Sequence, residues 1–321
     1  MITLSKIAKL ANVSISTASK AFSGSPGVNE QTRELVFNIA KEHGVFKKFY
    51  NAKYPRLVIA VIVPEFQSRH YGPLLYEIQK CLDERGCVMS VAGSNFIPEE
   101  NERIFDYFTK YTNADGIIII GHVDDIPSDT SLPCAVIGGA EPHPCASVVC
   151  NEITGAFRDA VSMLKERGAA TVGFISEPKT VGKMNIFKKL MTEIYGSYDE
   201  SYTVVTEGRF EEGGYEGMRD LITRGHVPRA IFCGYDDMAI GAMRCLTDNG
   251  LRVPDDVALI GFDNTMESKY VVPSLTTIDL AREKCARSAV DTVINKIMGK
   301  PAKSFIKVNS DLHLRESTAI K

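Results

Sequence analysis

No apolar run in these 321 residues approaches the roughly 18 needed to cross a membrane. The longest, Leu57 to Val63 and Gly116 to Gly121, have the length of strands. The eight cysteines form no CxxC pair and no zinc-like Cys/His spacing, and the six histidines show no HxxxH spacing, so reduced, buried thiols and no metal are expected. GxGxxG, GxxxxGK[ST] and GxSxG are also missing, which leaves an enzyme on a doubly wound fold without residues to carry chemistry and implies no cofactor. The glycines of AVIGGAEPHP sit in a loop, not a phosphate cradle. At the front, Ser5, Lys6 and Lys9 interrupt the apolar residues that a signal peptide would keep continuous. A cytoplasmic location is therefore expected, which argues against an exported solute-binding protein.

Net charge is low as well, −3 in all, but it is unevenly spread. Residues 1–56 carry nine Lys/Arg against three Glu, a net of +6, leaving the rest of the chain at −9. Such asymmetry points to a nucleic-acid-binding end on an otherwise ordinary body, with a basic solvated face as the bland alternative.

Three short helices fit that end. Thr3 caps the first, whose Leu4, Ile7, Ala8 and Ala11 recur at helical spacing, and Asn12 tolerates the left-handed conformation that ends it. Ser14 caps the second, over Ile15 to Phe22, which buries Ala18 and Phe22 and leaves Ser16, Thr17, Ser19 and Lys20 largely free. Asn29 caps a third over roughly residues 30–43, with Val36, Ile39 and Ala40 inward and Gly44 as its stop. A three-residue turn between the first two makes a helix-turn-helix, whose narrow polar second helix suits a DNA major groove. Lys20 reaches guanine acceptors, and the hydroxyls reach phosphates or base edges.

Thr3-Leu4, Ile7-Ala8, Ala11-Asn12-Val13-Ser14, Thr17-Ala18-Ser19-Lys20 and Val28-Asn29-Glu30-Gln31-Thr32-Arg33 resemble the headpiece of the LacI/GalR family of bacterial repressors. Lys6, Asn12 and Lys20 replace that family's common Asp, Gly and Arg. By position, the resemblance puts Ile15, Ser16 and Lys20 at base-reading sites, and Thr3, Ser14, Thr17, Ser19, Asn29 and Thr32 at phosphate-contacting ones. The segment from Val45 to Arg56 departs from the family's hinge helix: it is shorter and has no leucine to wedge into the minor groove. Phe49, Tyr50 and Tyr54 are the bulky side chains available instead.

From Leu57 the pattern alternates. Strand candidates at 57–63, 87–92, 116–120, 134–138, 170–175, 202–205, 230–233 and 257–261 are separated by helical stretches near 70–85, 99–111, 153–168, 182–194, 210–224 and 236–249. That argues for two doubly wound parallel-sheet domains. The series Asp236 to Met243, Gly250 to Val257, Gly261-Phe262-Asp263-Asn264, Leu275-Thr276-Thr277-Ile278 and Leu314 to Thr318 resembles the same family. The resemblance implies a periplasmic-binding-protein-like type I core, with three strands crossing between its lobes. Expected boundaries are 1–45 for the headpiece, 46–56 for the linker, 57–154 with 280–307 for the N-terminal lobe, and 155–279 with 308–321 for the C-terminal lobe.

Asp236 and Asp263 follow strand candidates, where open parallel sheets bind ligands, although a helix cap and a turn are the bland readings. The resemblance adds His70, Tyr71, Lys183 and Phe210 to the effector set, and it places Gly138 and Leu280 where polar ligand-gripping residues are common. It further implies a sequence-specific homodimeric regulator, with two headpieces on a pseudo-palindromic double-stranded operator and a small-molecule effector, by family default a carbohydrate.

Overall fold

The computed structural model describes residues 2–49, 56–112, 114–121, 126, 130 and 132–320. The first unit is helical: α1 (Leu4–Leu10), α2 (Ile15–Phe22), α3 (Glu30–Glu42) and a one-turn α4 (Phe46–Phe49). Each expected cap is present: Thr3, Ser14 and Asn29 accept from the backbone N–H of Lys6, Thr17 and Thr32. Asn12 takes the left-handed conformation (φ +53°) that turns α1 into α2. Ile7, Ala8, Ala18, Ala21, Phe22, Val36 and Ala40 form a core independent of the body.

That core continues past the expected boundary at residue 45. Phe46 and Phe49 pack on Phe22 and Phe37, with ring centroids 5.0 to 6.2 Å apart. Phe49 is thus held among headpiece side chains and is not free as a wedge; Tyr50 and Tyr54 lie outside the described residues.

The body has two six-stranded sheets. One runs β11-β5-β4-β3-β1-β2, from β1 (Val58–Val63), β2 (Val88–Gly93), β3 (Gly116–Ile120), β4 (Cys134–Ile137), β5 (Ser147–Glu152) and β11 (Phe305–Asn309). Its strands pair in parallel throughout, and α5 (Tyr71–Asp83), α6 (Pro98–Asp106) and α12 (Arg282–Ile297) cover it. The other runs β12-β10-β9-β8-β6-β7, from β6 (Val172–Ser176), β7 (Thr203–Val205), β8 (Ala230–Cys233), β9 (Ala258–Phe262), β10 (Thr276–Asp279) and the antiparallel edge β12 (Asp311–His313). Helices α7 (Thr154–Glu166), α8 (Val181–Tyr195), α9 (Phe210–Thr223), α10 (Asp236–Asp248) and α11 (Met266–Tyr270) flank it. The chain changes sheets after β5, after β10 and between β11 and β12.

Continuous apolar strands such as GIIII and VIAVIV follow from this layering, because a parallel sheet covered on both faces buries every side chain. Helices α9 and α10 cross backbone to backbone. A Cβ on Gly214 would meet the Met238 carbonyl at 1.8 Å, and one on Gly241 that of Glu211 at the same distance. The crossing brings the first turns of both helices to the mouth of the cleft between the lobes.

Candidate effector cleft and DNA-facing helix

On α2, Ile15, Ser16, Ser19 and Lys20 are exposed, while Ala18, Ala21 and Phe22 face inward. An apolar side chain with half its surface in water, as Ile15 has, finds no explanation in the headpiece core. Ser14 and Asn29 spend their side-chain oxygens on helix caps, and the Ser14 hydroxyl also bonds that of Thr17 at 2.8 Å. These hydroxyls and amides sit at helix N-termini, where backbone N–H groups favour an anion such as phosphate. Arg33 ties the end of α2 and the turn after it to α3, donating to the Ala21 carbonyl at 2.9 Å and the Ser25 carbonyl at 3.3 Å. Thr3 and Thr32 lie at the starts of α1 and α3.

The carboxyl ends of both sheets open onto a cleft between the lobes, which holds two adjoining cavities of about 190 and 210 Å³. His70, Tyr71 and Leu280 line both. The structure brings five of the six expected effector residues together here: His70, Tyr71, Lys183, Phe210 and Asp263.

Asp263 is the best supported. It ends β9 with φ +97°, followed by Asn264 at +48°, a backbone that costs on the order of 1–3 kcal/mol per residue outside glycine. Arg282 holds the turn, donating to the Asp263 carbonyl at 2.6 Å and the Asn264 carbonyl at 3.2 Å, while Asn264 Nδ2 donates to Asp279 at 2.8 Å. His70 Nδ1 lies 3.2 Å from Asp263 Oδ1. Burial pushes the Asp263 carboxyl up, but His70, Lys183 and Arg282 outweigh it and hold the group well below the ordinary carboxylate range. It therefore stands in the cleft as an anion that accepts hydrogen bonds.

Lys183 extends from α8, donates to the Gly234 carbonyl at 2.8 Å and places its ammonium 4.5 Å from the centre of the Phe262 ring. Burial lowers its pKa, against the pull of Asp263 and Asp236. Phe210 starts α9 at φ +54°, its N–H donating to the Tyr235 hydroxyl at 2.9 Å.

Asp236 is placed elsewhere, behind the cleft wall. It is fully buried, and its oxygens accept from the Thr277 hydroxyl at 2.6 Å and from the Thr265 N–H and hydroxyl at 2.8 and 3.1 Å. Its place in the expected effector set is corrected accordingly: it braces the strand ends and does not line the cavity. Gly261 makes room for it, since a Cβ there would meet Asp236 Oδ1 at 2.2 Å.

Sequence reading missed Arg209, Tyr235, Asn151 and Phe96. Arg209 makes a two-pronged pair with Glu65 of the other lobe at 2.7 and 2.8 Å, and its guanidinium lies 4.5 Å from the Phe210 ring centre. A cation beside an aromatic at a helix start was visible, but its partner lies far away in sequence. Outside the cavities, Arg69 spans the lobes too, reaching Glu211 at 2.5 Å, Asp237 at 2.6 Å and Glu267 at 3.3 Å.

A two-lobed, periplasmic-binding-protein-like body joined to a helix-turn-helix unit is the architecture of a DNA-binding regulator. Residues 3–45 match the family model for bacterial regulatory proteins of the lacI family, and residues 161–318 that for a periplasmic binding protein-like domain. The chain belongs to the LacI family of bacterial transcriptional regulators. The HTH-type transcriptional repressor PurR of Klebsiella pneumoniae (strain 342) is 28% identical, over 99% of this chain and 97% of its own length. Among solved structures, a complex of the transcriptional regulator CelR with cellobiose is 25% identical with a TM-score of 0.71, covering 99% of this chain and all of the other. The lac repressor dimer bound to operator and the anti-inducer ONPF shares the fold at 21% identity and a TM-score of 0.71, with 99% of each chain covered. No helix among the described residues is long and apolar enough to cross a membrane.

Proposed function

We propose that the protein is a homodimeric repressor, that Ile15, Ser16 and Lys20 read base edges of a pseudo-palindromic operator, and that a sugar or sugar derivative in the interlobe cleft controls operator affinity. Thr3, Ser14, Thr17, Ser19, Asn29 and Thr32 position the headpiece on phosphates, and the basic end supplies the salt-dependent part of the affinity.

One observation carries the effector reading: Asp263, held as an anion on strained backbone, shares a cavity with Lys183 and with the ring faces of Tyr71, Phe96 and Phe210. Aromatic faces stack on the C–H face of a sugar ring while charged groups take its hydroxyls. The cellobiose held by the structural relative CelR supports a carbohydrate. Effector and operator affinities are linked reciprocally, so each alters the other by the same factor.

A thermal-shift screen over sugars and nucleobases tests the cleft. A carbohydrate is expected to raise Tm in the wild type and not in Asp263→Ala. A shift that survives Asp263→Ala would place the ligand elsewhere, and a response to nucleobases alone would replace the carbohydrate reading. For the headpiece, Lys20→Ala is expected to narrow the preference for operator over random DNA by about 1–3 kcal/mol in binding titrations. A uniform loss on both DNAs would demote Lys20 to a phosphate contact.

A further inference from the structure

The N-terminal lobe reaches the charged side of the cleft with one carboxylate. Glu65 lies just after β1, keeps 11% of its side-chain surface, and accepts from Arg209 Nη1 and Nη2 at 2.8 and 2.7 Å. Arg209 immediately precedes α9 in the C-terminal lobe and lines the outer cavity. The pair is of the planar, two-pronged kind that a lysine cannot reproduce.

A second cation stands beside it. Lys179 Nζ lies 3.5 Å from the centre of the Phe96 ring, and the Arg209 guanidinium lies 5.6 Å from the same ring. Phe96 belongs to the N-terminal lobe and is set there by two successive left-handed residues, Asn95 at φ +53° and Phe96 itself at +58°. Burial, then the charge of Arg209, lowers the Lys179 pKa, as expected of two cations held close. Glu177 is an acid of the C-terminal lobe itself, but its Oε2 accepts from the Lys179 N–H at 3.1 Å as a helix cap, and its Oε1 stays 3.7 Å from Arg209 Nε. Glu177 therefore gives Arg209 a charge contact only, and the carboxylate that takes the guanidinium's hydrogen bonds comes from the opposite lobe.

We propose that the C-terminal lobe carries an oxyanion site, built on Arg209 with Lys179 beside it, and that Glu65 is its internal ligand, a latch drawing the lobes together from inside the cleft. The proposal goes beyond the carbohydrate reading and does not rest on it. Because Glu65 is tethered to the site, it faces Arg209 at an effective concentration of the order of millimolar or more, which keeps free carboxylates out. Removing the carboxylate leaves a guanidinium with only 26% of its side-chain surface in water and no hydrogen-bonded partner, a larger loss than that of a solvated surface pair. Separation of the lobes relieves that loss by returning Arg209 to water.

Glu65→Ala in the full-length protein, read by small-angle scattering and thermal unfolding, tests this. Acetate is the probe, because it supplies the atoms that the substitution removes. The variant is expected to show a larger radius of gyration and a Tm lower by about 2–4 °C or more. Sodium acetate is expected to reverse part of both changes, and sodium chloride at the same ionic strength is not. Wild type and Glu65→Ala/Arg209→Ala are expected not to respond to acetate. Glu65→Gln, which keeps the shape without the charge, is expected to give the same two losses and so separates the latch from a packing defect. Scattering and Tm unchanged in both Glu65 variants would overturn the latch. No acetate effect on Glu65→Ala, an equal effect on wild type, or one that survives Arg209→Ala would overturn the oxyanion site. None of these results bears on the carbohydrate reading, which the sugar screen with Asp263→Ala decides.

Discussion

Two neighbouring carboxylates, Asp236 and Asp237, begin α10, and neither is solvated. Burial, then the charge of Asp263, pushes Asp236 up to about 7 against the hydrogen bonds from Thr277 and Thr265. Burial also lifts Asp237 to about 6, although Arg69 opposes it. A folded pKa above the unfolded one means that the native state holds the proton more tightly. The resulting stability is complete at low pH and is lost as pH rises through the folded value. Between about pH 4 and 7, the wild-type Tm is therefore expected to fall more steeply than that of Asp236→Asn, which cannot ionise. The variant starts lower, by roughly 1–3 kcal/mol, because an amide keeps one acceptor: with its oxygen on the two Thr265 donors, its NH₂ faces the Thr277 hydroxyl that now donates to the carboxylate. Parallel melting curves would show that Asp236 keeps its charge throughout. Both aspartates of the two site motifs follow strands and both were legible as candidates; what separates Asp263 from Asp236 is the left-handed turn that sets one, though buried, against the cavity and the two threonines that enclose the other. The threonines lie far along the chain from Asp236, and the turn at Asp263 is held by Arg282, equally out of reach of a local reading.

At the scale of elements, eight strands were legible because each is a short apolar run between turn residues. The other four were not. β5 (SVVCNE) and β10 (TTID) mix polar residues into buried strands at the crossovers, where Ser147, Thr276 and Thr277 are buried. β11 and β12 lie at sheet edges and keep exposed positions, so they carry no apolar run to read. Helix α12 repeats Cys285, Ala286, Ala289, Val290 and Val293 on its inner face, but small side chains among six charged ones mute the signal. The fourth headpiece helix was hidden for another reason: Phe46 and Phe49 sit in a lysine-bearing stretch that resembled a linker until their partners Phe22 and Phe37 were in place. Phe49→Ala is expected to destabilise the headpiece by roughly 2 kcal/mol, less than a fully buried Phe→Ala, and to speed hydrogen exchange in α2 and α3 while leaving ligand binding by the body unchanged. A loss of operator affinity with exchange unchanged would instead mean that Phe49 acts on DNA.

In the whole molecule, two guanidinium groups of opposite origin bridge the lobes, one within the cleft and one outside its cavities. Arg69, from the N-terminal lobe, reaches Glu211, Asp237 and Glu267; Arg209, from the C-terminal lobe, reaches Glu65. Glu211 and Glu267 are partly solvated, so their pairs contribute little, whereas Asp237 keeps only 6% of its side-chain surface and depends on Arg69 for compensation. Because Arg69 does not line the cavities, it acts on ligand affinity only through the balance between bridged and separated lobes. Arg69→Met is accordingly expected to shift that balance by about 1–2 kcal/mol, roughly five- to thirtyfold. Small-angle scattering of the ligand-free variant should show a larger radius of gyration, and effector binding should weaken by the fraction of molecules no longer bridged. Operator affinity must then move as well, in the direction opposite to the one effector induces, since bridging is the state both would share with bound ligand. A variant that loses effector affinity with unchanged scattering and unchanged operator binding would mean that Arg69 serves the cleft locally and that the bridge does not set the position of the lobes.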